Sequence, residues 1–372
     1  MLIRMLTLLR LALEKTGLLP VIKRLLHRSL DGNLQSTSLS GWKYNLRILA
    51  EQTKYAGVEE VHDLPPIQLY WIEKHLRPML RNFGFETVEG YFYTEVAQAL
   101  GANTPNAGAR RVNQLVSIGS GNCDFEVALA KQLVTAGLSN FQIECMDINS
   151  EMLDRGRMLA EREGVSSFIV PLRADFNSWT PERNVYRAVL ANQSLHHVTN
   201  LEGLFDAIQR SLQPEGVFLV SDMIGRNGHM RWPEALAIVN EFWRQLPARY
   251  RFNRQLGTTE EEFLNYDCSK TSFEGIRSQD ILPLLVQRFG FTTFVAFGNV
   301  IDPFIDRGIG PNFDPASAWD RDFIDRVHAA DTEAISAGRI KPTHMIASMS
   351  PTISAHKQQP LGLDPVFCVR EQ

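Results

Sequence analysis

The alternation of short apolar runs with helical patterns restricts the fold more than any other feature of this chain. Between residues 112 and 225, five apolar runs each stop at a glycine or a polar residue; they lie within 115–118, 141–146, 168–172, 187–191 and 216–220. Such runs are typical of buried parallel strands, and strands that alternate with helices build a doubly wound sheet. Two later runs, 291–297 and 343–349, add a sixth and a seventh strand. We therefore predict an α/β fold with a doubly wound sheet.

Polar and small residues follow these strands at regular positions: Gly119, Gly121, Asp147, Asp175 and Asn192. In doubly wound sheets, ligands bind outside the carboxyl ends of the strands, near the point where the strand order reverses. We therefore expect these residues to line one ligand site.

The residue types at these positions restrict the ligand. Asp124 stands where a dinucleotide-binding loop has its third glycine, and a carboxylate there would repel a pyrophosphate. An NAD-dependent oxidoreductase is therefore the weakest hypothesis, whereas a cationic ligand without phosphates is compatible. Asp147 suits a ribose diol, and Asp175 with Phe176 suits an adenine. The alternative roles are helix caps for Asp124 and Asp147 and an ordinary loop pair for Asp175 and Phe176.

Residues 112–225 resemble a class I S-adenosylmethionine (SAM)-dependent methyltransferase with a seven-stranded, Rossmann-like sheet. The resemblance rests on segments 116–124, 145–149, 174–176, 191–197 and 212–216. It implies that the loop around Gly119 and Gly121 passes under the methionine part of SAM, and that Asp147 holds the ribose. The cofactor-binding residues that we predict are Gly119, Ser120, Gly121, Asp124, Asp147, Ile148, Asp175, Phe176, Asn192 and Gln193.

Two positions depart from the pattern of that family. Ser117 stands where the family has an acidic residue, and Cys123 replaces the last glycine of the loop. The cofactor ammonium then needs another anionic partner, for which Glu126 and Asp124 are the two candidates.

Two histidines follow the fourth strand, close to where the resemblance places the methyl group. Histidine has a suitable pKa for removing a proton from a hydroxyl or amine acceptor, so His196 and His197 are the predicted catalytic residues. The alternative is that they only brace the loop. No pair of metal ligands occurs at helical spacing, and we predict no metal site.

The parts of the chain outside this core are expected to shape the substrate site. We divide the chain into a helical N-terminal or lid region (1–110), a SAM-binding core (111–225), substrate-side insertions with the last strands (226–350) and a surface tail (351–372). The predicted substrate contacts carry charges of both signs, as a polar small molecule would require; they are Tyr70, Asp222, Arg226, His229, Tyr266 and Arg277. For Tyr70 the alternative is an ordinary hydrophobic core, and for each of the others it is a surface or interdomain salt bridge.

Charge and cysteine content restrict the partners and the compartment. The formal net charge is −4, and no basic run occurs in the core, which disfavours nucleic acid. Four cysteines in 372 residues are too few for a disulfide framework, so we predict a cytoplasmic protein with reduced thiols. Residues 1–30 alternate basic and apolar residues. This segment is predicted to form a helix that packs on protein, including the partner in a homodimer, or that lies on an anionic membrane surface.

The leading hypothesis is a methyltransferase that uses SAM to methylate an oxygen or nitrogen of a polar small molecule. Two alternatives retain the cofactor. One is an enzyme of the same fold that uses SAM for cyclisation or aminocarboxypropyl transfer. The other is a non-catalytic protein that only binds SAM.

Overall fold

The computed structural model describes residues 64–101, 112–270, 272–353 and 363–371. The predictions for residues 1–30 therefore lie outside the described residues. Within the described residues, no helix combines the length and the apolar character needed to cross a membrane.

The described chain contains nine strands. Their bounds are β1 Asn113–Ile118, β2 Phe141–Asp147, β3 Ile169–Arg173, β4 Tyr186–Asn192, β5 Leu212–Met223, β6 Phe252–Asn253, β7 Thr258–Thr259, β8 Gly290–Phe297 and β9 His344–Ser350. Seven of them form one sheet in the order β3-β2-β1-β4-β5-β9-β8, while β6 and β7 pair separately. Strands β1 to β5 are parallel, and β9 runs antiparallel to both β5 and β8. The predicted seven-stranded, doubly wound sheet is confirmed.

The described helices are α1 Pro66–Trp71, α2 Arg77–Arg81, α3 Val88–Gly101, α4 Asp124–Thr135, α5 Ser150–Arg162, α6 Leu201–Ser211, α7 Pro233–Trp243, α8 Ser278–Arg288, α9 Asp302–Ile305, α10 Ala318–Ser336 and α11 Pro365–Cys368. A π-helical turn, Ile72–Leu76, joins α1 to α2. Helix α7 begins at Pro233, as the sequence predicts, because proline lacks only an amide hydrogen that the first turn leaves unbonded.

The chain divides into two units, each built from separate segments. Among the described residues, the sheet unit consists of 77–101, 112–224, 277–297, 342–353 and 363–371, and the accessory unit consists of 64–76, 225–270, 272–276 and 298–341. This division differs from the four consecutive segments proposed above, because later parts of the chain return to the sheet.

The core of the sheet unit packs helices against buried strand residues. Val189, Phe205, Phe218 and Phe289 are almost fully buried in one cluster. Cys368 of α11 belongs to the same cluster and is 4% exposed, so the prediction of a surface tail is wrong for this helix. This helix has only four residues, which are too few to show a helical pattern of apolar residues in the sequence.

The strand order reverses between β1 and β4. From β1 the chain adds β2 and β3 on one side of the sheet, and from β4 it adds β5 on the other side. The loops after β1 and β4 therefore meet at the carboxyl edge of the sheet, where a ligand crevice forms in this type of fold.

Candidate active site

The loop between β1 and α4 contains both glycines predicted from the sequence. Gly119 and Gly121 have positive φ angles of 71° and 53°. A Cβ atom at Gly119 would lie 2.7 Å from the Cβ of Ser194, which is closer than real contacts allow. The loop after β1 therefore packs against Ser194 of the loop after β4 without room for a Cβ atom, and the close packing and the positive φ together require glycine at position 119.

Cys123 occupies the place of the expected third glycine, and the structure shows how a larger residue fits. Its backbone is left-handed, with φ 58°, and its side chain is fully buried. Gly156 of α5 packs against it, since a Cβ at Gly156 would lie 2.5 Å from the Cys123 Sγ. The side chain of Cys123 thus fits in the loop because the residue that faces it on α5, Gly156, has no side chain.

Asp147 ends β2 and is held by backbone amides on both of its oxygens. The amide of Gly121 donates to Oδ2 at 2.9 Å, and the amide of Asn149 donates to Oδ1 at 2.8 Å. Burial raises the pKa of Asp147, and these amides partly oppose that effect. Each carboxylate oxygen has a second acceptor position, so this orientation suits a ribose diol.

Asp175 and Phe176 follow β3, and both side chains are half-buried. Asp175 Oδ1 accepts a hydrogen bond from the Asn177 amide at 2.9 Å. Phe176 packs at the edge of the core cluster of the sheet unit.

Asn177 was not among the predicted residues, although it connects two loops of the site. Its Oδ1 accepts hydrogen bonds from the amides of Thr199 and Asn200 and from the Thr199 hydroxyl, at 2.8 to 3.0 Å. Its carbonyl also accepts from the Asn200 side chain at 3.0 Å. The loop after β3 is thus tied to the loop after β4. The only sequence signal was an asparagine two residues after a strand-end aspartate.

Asn192 is the last residue of β4, and Gln193 follows it with a positive φ of 54°. The amide of Gln193 donates to the Ser221 carbonyl at 2.7 Å, and its exposed side chain donates to the Ser221 hydroxyl at 3.4 Å. Positive φ is uncommon in residues other than glycine, and such strain concentrates at binding sites.

His196 and Asp222 form a buried pair at the ends of β4 and β5. His196 Nδ1 lies 2.7 Å from Asp222 Oδ1. Asp222 Oδ2 accepts from the amides of Ser194 and Leu195 at 2.8 and 2.6 Å. Burial disfavours the charged carboxylate, but His196 and the amides outweigh this effect, so the pKa of Asp222 lies below its ordinary value.

An ionised Asp222 can only accept a hydrogen bond, so His196 donates from Nδ1, and the neutral form of the ring then carries its lone pair on Nε2. This is the tautomer that a general base requires. The half-buried ring of His197 lies beside it, with ring centroids 4.2 Å apart.

The predicted substrate contacts divide between the two units. In the sheet unit, Asp222 belongs to the pair just described. Arg277 binds Glu202 at 2.6 Å and Asp280 at 2.7 Å, and also donates to the Thr199 carbonyl. These contacts raise the pKa of Arg277 and lower that of Glu202 to about 2. Arg277 is therefore tied into a salt-bridge network, which was the alternative weighed for it from the sequence.

The other four predicted substrate contacts lie in the accessory unit. Tyr70 donates to Asp325 at 3.0 Å, and His229 Nε2 lies 3.2 Å from Glu274. Arg226 donates to the Arg231 carbonyl at 3.1 Å, and Tyr266 is half-buried. Each has a local partner or packing environment, and their role toward a substrate stays a prediction.

Comparison with known proteins agrees with this arrangement for the central part of the chain. Residues 116–216 match a family model described as a methyltransferase domain. A sterol 24-C-methyltransferase of Gibberella zeae is 32% identical over 79 residues, and one of Aspergillus fumigatus is 34% identical over 76 residues. The match to the first relative covers 21% of this chain and 21% of the relative. The second match covers 20% of each chain, so both span about a fifth of the relatives' length.

Similar solved structures include a geranyl diphosphate C-methyltransferase from Streptomyces coelicolor A3(2) and the [4+2]-cyclase SpnF. The first is 12% identical, with a TM-score of 0.38, over 70% of this chain and 79% of that chain. The second is 13% identical, with a TM-score of 0.40, over 84% of this chain and 96% of that chain. At these scores the similarity says nothing about the substrate.

The matched segment begins inside β1 and ends inside β5, so it contains the glycine loop, Asp147, Asp175 and His196. The strand order and the family match point to the same group of proteins. Residues 116–216 are therefore assigned to a methyltransferase domain, in agreement with the resemblance to the class I, SAM-dependent family.

Proposed function

We propose that this chain transfers a methyl group from SAM to an oxygen or nitrogen atom of a polar small molecule. The observation that carries the proposal is the buried His196–Asp222 pair at the carboxyl ends of β4 and β5. His196 lies two residues after Ser194, the residue of the loop after β4 that packs against Gly119.

SAM, when bound, supplies a methyl group that is already activated by its sulfonium. The chain then has to position the acceptor, exclude water and remove a proton. His196 Nε2 accepts the proton from the hydroxyl or amine as the new bond to carbon forms. Asp222 is a positioning residue, because it keeps the proton on Nδ1 and stabilises the imidazolium that results.

Oxygen or nitrogen is preferred as the acceptor atom for a chemical reason. A histidine oriented by an ionised carboxylate suits proton removal from a polar group. The sterol relatives are named for methylation at carbon. Methylation at carbon is therefore the outcome of a product analysis that would contradict this part of the proposal.

The test starts with calorimetric binding of SAM, S-adenosylhomocysteine (SAH) and NAD to the full chain. We expect micromolar binding of the first two and its loss in Asp147→Ala, whereas Asp154→Ala, an exposed aspartate of α5, serves as the control. Acceptor pools are then screened with SAM, and SAH and methylated product should appear in equal amounts. Methylthioadenosine with an aminocarboxypropyl product, a cyclised product, or binding without turnover would each favour one of the alternatives.

We further propose that residues 1–30 provide peripheral contact with anionic membranes or a homodimer interface in a cytoplasmic protein. Deletion of these residues should abolish liposome binding or change the oligomeric state. Sedimentation with anionic vesicles and light scattering measure the two effects, and an unchanged result in both contradicts the proposal.

A further inference from the structure

Glu126 is a buried carboxyl group beside the glycine loop that the proposed reaction has not yet used. It lies in the first turn of α4 and is 2% exposed. The hydroxyl of Ser117 on β1 donates to Oε1 at 2.5 Å. Among the described residues, Oε2 is buried and has no hydrogen-bond partner. A buried carboxyl oxygen rarely stays unsatisfied, because its desolvation is costly, and it therefore points to a ligand group.

The surroundings of Glu126 favour a cation as that group. The side chains of Cys123 and Cys145 place their sulfur atoms within 4.8 Å of its carboxylate and of each other. The contact with Cys123, together with burial, raises the pKa of the Cys145 thiol, so it is neutral. The charged groups that act on Glu126 are Asp124 and Asp147, which are both acidic. An N–H cation would satisfy the unpaired oxygen and also relieve this repulsion.

The position of Glu126 matches one end of the cofactor. Ser117 lies two residues before Gly119, and Glu126 lies five residues after Gly121. The carboxyl group therefore joins β1 to α4 on either side of the loop expected to pass under the methionine part of SAM. Asp124, the other candidate from the sequence, is exposed at the start of α4.

We propose that Glu126 binds the ammonium group of the cofactor through Oε2, while Ser117 holds Oε1, and that Glu126 loses its proton when the cofactor binds. This inference rests on the proposed function. The carboxyl proton passes to solvent as the N–H···O bond forms, so the complex contains an ammonium–carboxylate pair.

The titration of Glu126 makes this exchange measurable near neutrality. Burial raises its pKa to about 7, although the Ser117 hydrogen bond opposes that effect. Below this pH the free protein has to release a proton to bind the cofactor. The dissociation constant for SAH should therefore fall by up to about tenfold for each pH unit as the pH rises toward the pKa, and level off above it.

The experiment is calorimetry with SAH and with methylthioadenosine, which has the same nucleoside but no ammonium group. Titrations in two buffers of different ionisation enthalpy count the released protons. We expect release of up to about one proton per SAH bound below pH 7, and none for methylthioadenosine. Glu126→Gln keeps the shape of the side chain and should weaken SAH binding by at least about tenfold above pH 7. It should also remove the pH dependence and leave methylthioadenosine binding unchanged.

Glu151→Gln is the matched control, because Glu151 also lies in the first turn of a helix of this unit but is exposed. Retained methylthioadenosine binding shows that the site is still folded in the Glu126→Gln variant. Equal SAH binding by Glu126→Gln and the natural chain, or the same pH dependence in both, overturns this inference and leaves the proposed function intact. If the natural chain binds neither ligand, the proposed function fails and this inference fails with it.

Discussion

The sheet unit and the accessory unit each contain a histidine–aspartate pair with 2.7 Å between nitrogen and oxygen, His196–Asp222 and His75–Asp325. Asp222 is fully buried and accepts hydrogen bonds from backbone amides at strand ends. The side chain of Asp325 is 27% exposed, and its other partners are the side chains of Tyr70 and Lys74. Backbone amides are placed by the sheet itself, whereas long side chains have to be ordered. The two nitrogen–oxygen distances are therefore equal, but the His196–Asp222 pair is the more preorganised.

The largest expected difference is in stability. Asp222→Ala should lower the free energy of unfolding by about 3–5 kcal/mol, because it leaves buried amides and His196 without their acceptor. Asp325→Ala should cost about 1 kcal/mol, because its partners can turn to water. Urea denaturation of both variants measures the two effects, and equal losses would contradict the comparison.

The next effect concerns catalysis. His196→Asn keeps a donor toward Asp222 but removes the proton acceptor, so it should lower kcat by about 100-fold or more with an identified acceptor. SAH affinity should change little, because the substitution leaves the predicted cofactor-binding residues in place. His75→Asn is the matched control and should retain kcat. A similar loss in both variants would mean that His196 has no specific role in the reaction.

Acidification should first affect His328 of the accessory unit, which lies beside His75. Burial, followed by the charge of His75, lowers the pKa of His328 to about 4. Its ring accepts a hydrogen bond from Trp71 and lies 3.9 Å from that of His75. A folded pKa below the unfolded value of 6.5 means that the stability present above pH 6.5 is lost as the pH falls from 6.5 toward 4.

The Asp222 pKa lies below 3.8, so its stabilisation is lost only as the pH falls below that value. The free energy of unfolding, measured with urea at several pH values between 6.5 and 4, should therefore depend less steeply on pH for His328→Asn than for the natural chain. The same slope in both proteins would contradict the assignment.

The smallest effect is expected at Lys74, whose side chain is 49% exposed and lies 2.6 Å from Asp325. Lys74→Ala should change the free energy of unfolding by at most about 0.5–1 kcal/mol, and less at high salt. A larger loss that salt does not reduce would show that Asp325 of the His75–Asp325 pair is held as firmly as Asp222 of the His196–Asp222 pair.

The two pairs also show how far sequence reasoning extends. His196 and Asp222 were both singled out, but for different roles, and their contact joins residues 26 positions apart. Tyr70 was proposed as a substrate contact, and its partner Asp325 lies 255 positions away. Asn177 entered the site through contacts that no local pattern indicates. The sequence offered both Glu126 and Asp124 for the ammonium, and only the structure shows that Glu126 is the buried one. Pairings of this kind depend on which loops meet, and the loops meet only once the strand order is known.

The sequence by itself determined the strands, the helices between them and the positions of Gly119, Gly121, Asp147 and Asp175 at strand ends. Those features follow from local periodicity and turn chemistry, which neighbouring residues encode. The tertiary structure decided that Asp222 orients His196, that Gly156 makes room for Cys123 and that Ser117 holds Glu126. Each of these depends on the close packing of segments distant in the chain, where a side chain's environment, and with it its charge and hydrogen bonds, is set by neighbours that the sequence does not place beside it.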